Sequence, residues 1–148
     1  MKNIRQLEEQ YKKLGEEIEA LKNNDGFPVK WEDVTGTEGF YVDERSNIVE
    51  SFVFKNCAAT KNMFCAREQA EASIALAQLS RLMYVYNDGW CPNWTDDSIK
   101  YVIFYRNESV ASGESYTVRY FLSFKTQRIR DLFLNNFRNL IEKAKPLM

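Results

Sequence analysis

An α+β fold is predicted by three features of this 148-residue sequence. A heptad of apolar residues runs through 1–23, two further helical stripes cover 64–88 and 127–144, and each of these follows a pair of β-like segments. The order is helix, then strand-strand-helix twice. The simplest arrangement is a coiled-coil-like helix (1–23), a linker (24–30) and a two-layer body (31–148). In that body an antiparallel sheet of about four strands carries two helices on one face.

The first helix has the cleanest pattern. Ile4, Tyr11 and Ile18 occupy a positions, and Leu7, Leu14 and Leu21 occupy d positions, with Glu, Lys, Gln and Arg almost everywhere between. Glu17 at g and Lys22 at e suit an ion pair across a parallel interface. Gly15 costs about 1 kcal/mol of helix propensity, and Tyr11 is bulky for a tight dimer. The stripe either joins copies of the chain or packs on the chain's own body; its heptad spacing favours self-association.

Asn23-Asn24-Asp25-Gly26-Phe27-Pro28 stops this helix and opens the linker. Trp31 is taken as the start of the body. Phe40–Val42 and Ile48–Phe54 read as strands joined by a turn at Glu44–Asn47. Residues 64–88 place Ala72, Ala75, Leu76, Leu79, Leu82, Met83 and Tyr86 on a broad helical stripe, while Ala70, Ser73, Ala77 and Ser80 allow close approach. Asp88-Gly89 ends this helix, with Gly89 as the left-handed cap residue. Ala66 is a poor cap at its start, leaving Thr60 or Asn62 to end the preceding loop.

Trp90–Asp97 is a loop with two of the three tryptophans. Residues 100–106 are a nearly continuous apolar strand, and 107–115 are polar and read as a loop. Residues 116–124 alternate, with Tyr116, Val118, Tyr120, Leu122 and Phe124 inward and Thr117, Arg119, Phe121 and Ser123 on the other face. In 127–144, Ile129, Leu132, Phe133, Phe137, Leu140, Ile141 and Ala144 face inward; Thr126 is a fair N-cap and Pro146 marks the end. The second hairpin and helix echo the first, without a residue-level repeat.

Composition narrows the chemistry. The chain has no histidine, which removes the side chain best suited to proton transfer near neutral pH and excludes Ser-His-Asp and Cys-His dyads. Cys57, Cys65 and Cys91 are too few for a four-thiolate metal site and read as reduced thiols, not a disulfide framework. No metal or cofactor is expected. Residues 1–99 carry 11 Lys+Arg against 17 Asp+Glu, net -6, and residues 100–148 carry 9 against 4, net +5. Such asymmetry suits an anion-binding face or two halves that attract each other. The net charge of -1 and the lack of a continuous basic helix disfavour duplex nucleic acid. No run approaches the ~18 apolar residues of a membrane span, and the charged start MKNIRQLEEQ has no signal core.

Two surfaces combine aromatics with charge. Trp90 and Trp94, beside Asp88, Asp96 and Lys100, suit stacking on a flat ligand or anchoring a protein, unless both rings fold back over the core. Arg119 and Phe121 on one strand face, with Arg106 on the neighbouring strand, resemble the open sheet faces of some nucleotide and single-strand binders, unless this is an ordinary solvated face. Gly36-Thr37-Glu38-Gly39 lacks the spacing and lysine of a phosphate loop. Asp96-Asp97 fits a turn better than a calcium loop.

Three stretches carry a resemblance: Glu68–Ala72 with Leu76–Ser80, Asn87–Asp96, and an ending of Arg130–Leu134, Asn136-Phe137 and Leu140–Leu147. Over roughly residues 31–148 the chain resembles a group of short proteins of gut Bacteroidales bacteria and their phages and prophages. It departs from that pattern at Ala66, where a Thr cap is expected, and at Cys91, where Lys is common. The resemblance implies a mobile-element setting in the cytoplasm of a bacterial host and carries no activity or catalytic residue. The expectation is a non-enzymatic oligomeric protein that binds a protein partner as an inhibitor, adaptor or virion part. The alternative is a protein that sequesters a small anionic ligand, such as a nucleotide signal of host defence.

Overall fold

The computed structural model describes residues 3–23, 27, 31, 38–51 and 61–148. The side chain of Leu21, most of the 24–30 linker, residues 52–54 of the second strand segment, Cys57 and Thr60 lie outside the described residues. The fold is α+β. The chain forms two compact units, one holding the first helix and the other made of Glu38–Ser51 and Asn62–Met148. Trp31 falls in the first of these units.

Helix α1, Ile4–Asn23, follows the heptad reading. Its seam is exposed: Ile4 72%, Leu7 51%, Tyr11 82%, Leu14 54% and Ile18 46%.

In the second unit, β1 (Gly39–Val42) pairs antiparallel with β2 (Ile48–Ser51). The turn between them is held by Asp43, whose carboxylate accepts from the backbone amides of Arg45 and Asn47, both at 2.8 Å. A two-residue strand, β3 (Met63–Phe64), adds to the other side of β1. A Cβ at Gly39 would lie 2.6 Å from the Phe64 carbonyl oxygen, so glycine is what lets these backbones meet. Helix α2 follows at Arg67–Tyr86.

The same plan then recurs. Strand β4 (Lys100–Arg106) pairs with β5 (Ser109–Ser115), a three-residue β6 (Leu122–Phe124) adds to the other side of β4, and α3 (Gln127–Ala144) follows. The sheet orders are β2-β1-β3 and β5-β4-β6. The expected single sheet of about four strands is corrected to two three-stranded sheets of identical topology. In each, a short strand ending in Phe lies three residues before a helix: Phe64-Cys65-Ala66-Arg67 matches Phe124-Lys125-Thr126-Gln127. Ala66 and Thr126 hold the same N-cap backbone geometry (φ -133°, ψ 146° and φ -135°, ψ 153°). Only Thr126 caps with its side chain, accepting from the Ile129 amide at 3.2 Å.

Two further readings are corrected. Residues 107–115 are not a loop: Asn107 and Glu108 have φ of 50° and 63°, the paired left-handed geometry of a tight hairpin turn, which lets β5 fold straight back on β4. Residues 116–121 are not strand. Because β5 and β6 flank β4 on opposite sides, this segment must cross one face of the sheet to join them. Tyr116 and Val118 are exposed accordingly, while Leu122, Ser123 and Phe124 are buried.

The core joins Ala75 and Leu79 of α2, Ile103 of β4, Leu122 and Phe124 of β6, and Phe133, Ile141 and Ala144 of α3. Phe133 is its aromatic centre, with ring centroids 4.8 Å from Phe124, 4.8 Å from Phe137 and 5.2 Å from Tyr86. The α3 backbone breaks at Phe137 (φ -120°, ψ 20°), where this cluster packs. At the end of α2, the chain turns in a left-handed pair, Asp88 (φ 50°) and Gly89 (φ 74°), with the Gly89 amide bonded to the Tyr84 carbonyl at 3.0 Å. The buried Asn87 amide then donates to Ser123 O at 2.9 Å and accepts from Lys125 N at 3.1 Å, occupying the free edge of β6 as another strand would.

Candidate functional site

Strand β4 is buried on both faces, which explains its continuous apolar sequence. Tyr101, Ile103 and Tyr105 point to the helix layer, where the Tyr105 hydroxyl donates to the Ile141 carbonyl. Burial, with the charge of Glu142 added, pushes the Tyr105 hydroxyl up to about 12. Lys100, Val102 and Phe104 point the opposite way. That second face is covered by the crossing segment, whose Tyr120 ring lies 5.2 Å from the Phe104 ring, and by the tryptophan loop.

Lys100 is the hub. It is wholly buried, and its Nζ donates to Asp96 O (2.9 Å), Asp96 Oδ1 (2.8 Å) and Tyr116 O (3.1 Å). The Trp94 ring centroid lies 5.5 Å from the same nitrogen. Three protons meet three acceptors, so the desolvated charge is fully compensated. The Lys100 hydrogen bond, helped by those of Ser98, holds the Asp96 carboxyl down at about 2. Lys100 is therefore no free contact for a ligand: its ammonium fastens the tryptophan loop and the crossing segment to the start of β4. Asn93 shapes the same loop by accepting from the amide and hydroxyl of Thr95 at 3.0 and 2.7 Å.

The remaining candidates separate. Trp90 and Trp94 are half-buried, between the two roles considered for them. Arg106 is exposed at the other end of β4 from Lys100, about 20 Å away along six strand residues. Arg119 and Phe121 are exposed on the crossing segment, not on a strand face. The open arginine-bearing sheet face expected from the sequence is thus not formed. The segments that Lys100 joins carry an exposed apolar rim: Ile99 (40% exposed), Tyr116 (50%) and Val118 (60%). Sequence reasoning missed Ile99 and assigned Tyr116 and Val118 to the core, because their alternation with polar residues mimics a strand.

Arg130 is a second buried cation. It donates to Gly113 O at 2.9 Å and to Asp131 at 2.8 Å, and its guanidinium lies 5.6 Å from the Tyr101 ring. It ties α3 to β5. A groove of about 340 Å³ between α2 and α3 is lined by Glu71, Ile74, Ala75, Gln78, Leu140 and Lys143, one lysine and one glutamate, with no cationic cradle.

Among the described residues, no cluster of three or more Cys, Asp or Glu is placed to hold a metal ion, and no helix is long and apolar enough to cross a membrane. Cys65 and Cys91 are free and exposed. The chain matches no protein-family model, no curated protein and no solved structure.

Proposed function

We propose that this chain is a non-enzymatic binding protein that self-associates through α1 and presents its α+β body to a protein partner, in the phage or prophage setting that the resemblance implies. The observation that carries the reading is the α1 seam, five described apolar side chains at heptad spacing that are 46–82% exposed in the single chain. Such a stripe on a 20-residue helix is stable in water only when covered. On the body, exposed Ile99, Tyr116 and Val118 lie on the segments that Lys100 joins, with the half-buried Trp94 at the same ammonium, the apolar and aromatic character of a protein contact. The small-anion alternative is weaker, because Lys100 is committed to the loop and Arg106 stands at the far end of β4.

The test pairs a capture experiment with a nucleotide panel. A protein retained by the wild-type chain and lost with Val118→Asp, with no nucleotide raising the melting temperature, supports the reading. A specific rise of several degrees with one nucleotide supports the alternative instead. Identical capture by wild type and variant removes the rim as the contact.

A further inference from the structure

We infer that the open edge of β5 pairs antiparallel with β5 of a second copy of this chain, joining two bodies edge to edge about a twofold axis at Ser112. The inference rests on the self-association proposed above and adds a second contact within that dimer.

The two edges of the β5-β4-β6 sheet differ. At β6, Ser123 turns its carbonyl to the Asn87 amide (2.9 Å) and its N–H to the Met83 sulfur (3.3 Å), so that edge is closed. The same two bonds set the direction of the backbone groups across the sheet. Ser123 faces Val102 of β4 but bonds away from it, so Val102 bonds on its other side to Gly113 of β5. Alternation from Gly113 then turns the N–H and C=O of Val110, Ser112 and Glu114 away from β4. Among the described residues none of these groups has a hydrogen-bond partner, and Ser112 and Glu114 are exposed. Open edges are normally blunted by proline, lysine or a bulge. Strand β5 has none of these: its register with β4 is unbroken from Ser109 to Ser115, and its side chains are those of Ser, Val, Ala, Gly and Glu.

Register and charge argue for a second copy as the occupant. Residues that bond outward must face residues that bond outward. An axis at Ser112 is the one that lets β5 meet itself with all three in use. Ser112 then faces the partner's Ser112, and Glu114 faces the partner's Val110. Glu114 shares the helix-covered face with Tyr101, its neighbour on β4, and has no ion pair among the described residues. Lys145 reaches that same face from the end of α3. Its Nζ donates to the Glu108 carbonyl at 3.0 Å and lies 6.0 Å from the ring centroid of Tyr105, which faces Val110. The twofold pairing therefore sets Glu114 one strand from the partner's Tyr105, where the partner's Lys145 lies, and does so on both sides of the axis. No like charges face each other directly, because the partner's Glu108 falls opposite Tyr116. The contact has little apolar area, so it joins bodies that α1 already holds together and does not hold two chains by itself.

The experiment uses the full chain with Cys57, Cys65 and Cys91 changed to Ser. Ser112→Cys and Ser109→Cys are made separately and oxidised. At the axis the two Cα atoms lie about 5.5 Å apart, within bridging range. The Ser109 positions lie about 20 Å apart, six residues along the pair. Ser112→Cys should form the linked dimer at least about 10-fold faster. An independent reading is amide exchange by NMR without any cysteine change. The amides of Val110, Ser112 and Glu114 should exchange at least about 10-fold more slowly in the wild-type dimer than in Leu14→Asp, while those of Ala111 and Gly113, already bonded to β4, should not change. Equal bridging of the two cysteine variants, or equal exchange in the two proteins, overturns the inference and leaves the dimer standing. A wild-type monomer by light scattering overturns the self-association and the inference with it.

Discussion

Helices α1 and α3 are nearly equal in length and amphipathicity, yet their apolar stripes meet opposite fates. In α3, Phe133, Ile141 and Ala144 are wholly buried against α2, β4 and β6. In α1, the described seam residues are all exposed. An amphipathic pattern is a demand for a partner and does not say which. The sheet and α2 answer that demand for α3 within the chain; for α1 the proposed answer is another copy.

The largest expected effect tests the buried half of this comparison. Phe133→Ala should cost about 3–5 kcal/mol of stability in urea unfolding, the range for truncating a fully buried aromatic. A loss below about 1 kcal/mol would mean that the α3 stripe is not a core stripe, and the contrast with α1 would vanish.

The next compares the starts of α2 and α3. Their N-cap residues share one backbone geometry, but Ala66 offers no oxygen. Ala66→Thr should raise stability by about 1 kcal/mol, and thermal or urea unfolding would show it. No gain would mean that the amides at the start of α2 are already satisfied, breaking the equivalence of the two repeats.

A smaller effect concerns the exposed rim and its buried hub. Asp96 has its folded-state pKa lowered to about 2 from the usual 3.8. Its contribution to stability is therefore fully present above about 3.8 and is lost as pH falls towards 2. Asp96 is 47% exposed, so solvent screens much of it. Asp96→Asn should flatten the loss of stability between pH 4 and pH 2, read from tryptophan fluorescence in urea; an unchanged acid limb would contradict the Lys100–Asp96 pairing. Smallest of all, Arg119→Ala should change stability by no more than about 0.5 kcal/mol, as for an exposed side chain. A loss above about 2 kcal/mol would show that Arg119 is paired within the fold and remove it from the candidate contacts.

Local signals were the ones that could be read in advance. Helix α3 spans the residues expected, because Thr126 and Pro146 punctuate a strongly periodic stripe. Strand β4 was equally plain from its apolar run. Strand β5 was hidden because Ser109–Ser115 is small and polar: its pairing follows from the Asn107-Glu108 turn and the length of β4, not from side-chain preference. Strand β3 is two residues long, too short for any period to appear. Lys100 looked like a surface cation because its acceptors come from Asp96 and Tyr116, and the second of these is brought close only by the crossing segment. The tryptophan loop stands out in the sequence by its two rings, but which arginines lie near it depends on the path of 116–121, which no local pattern gives.

The central claim is that the α1 seam is a contact between chains, and the mass of the full chain in solution tests it most directly. At micromolar concentration, light scattering should give twice the 17.4 kDa of one chain. Leu14→Asp, which puts a charge in the middle of the seam, should reduce this to one chain, with circular dichroism losing no more than the α1 helix and the urea unfolding midpoint of the body unchanged. A wild-type mass of one chain, or a variant that remains dimeric, would contradict the account.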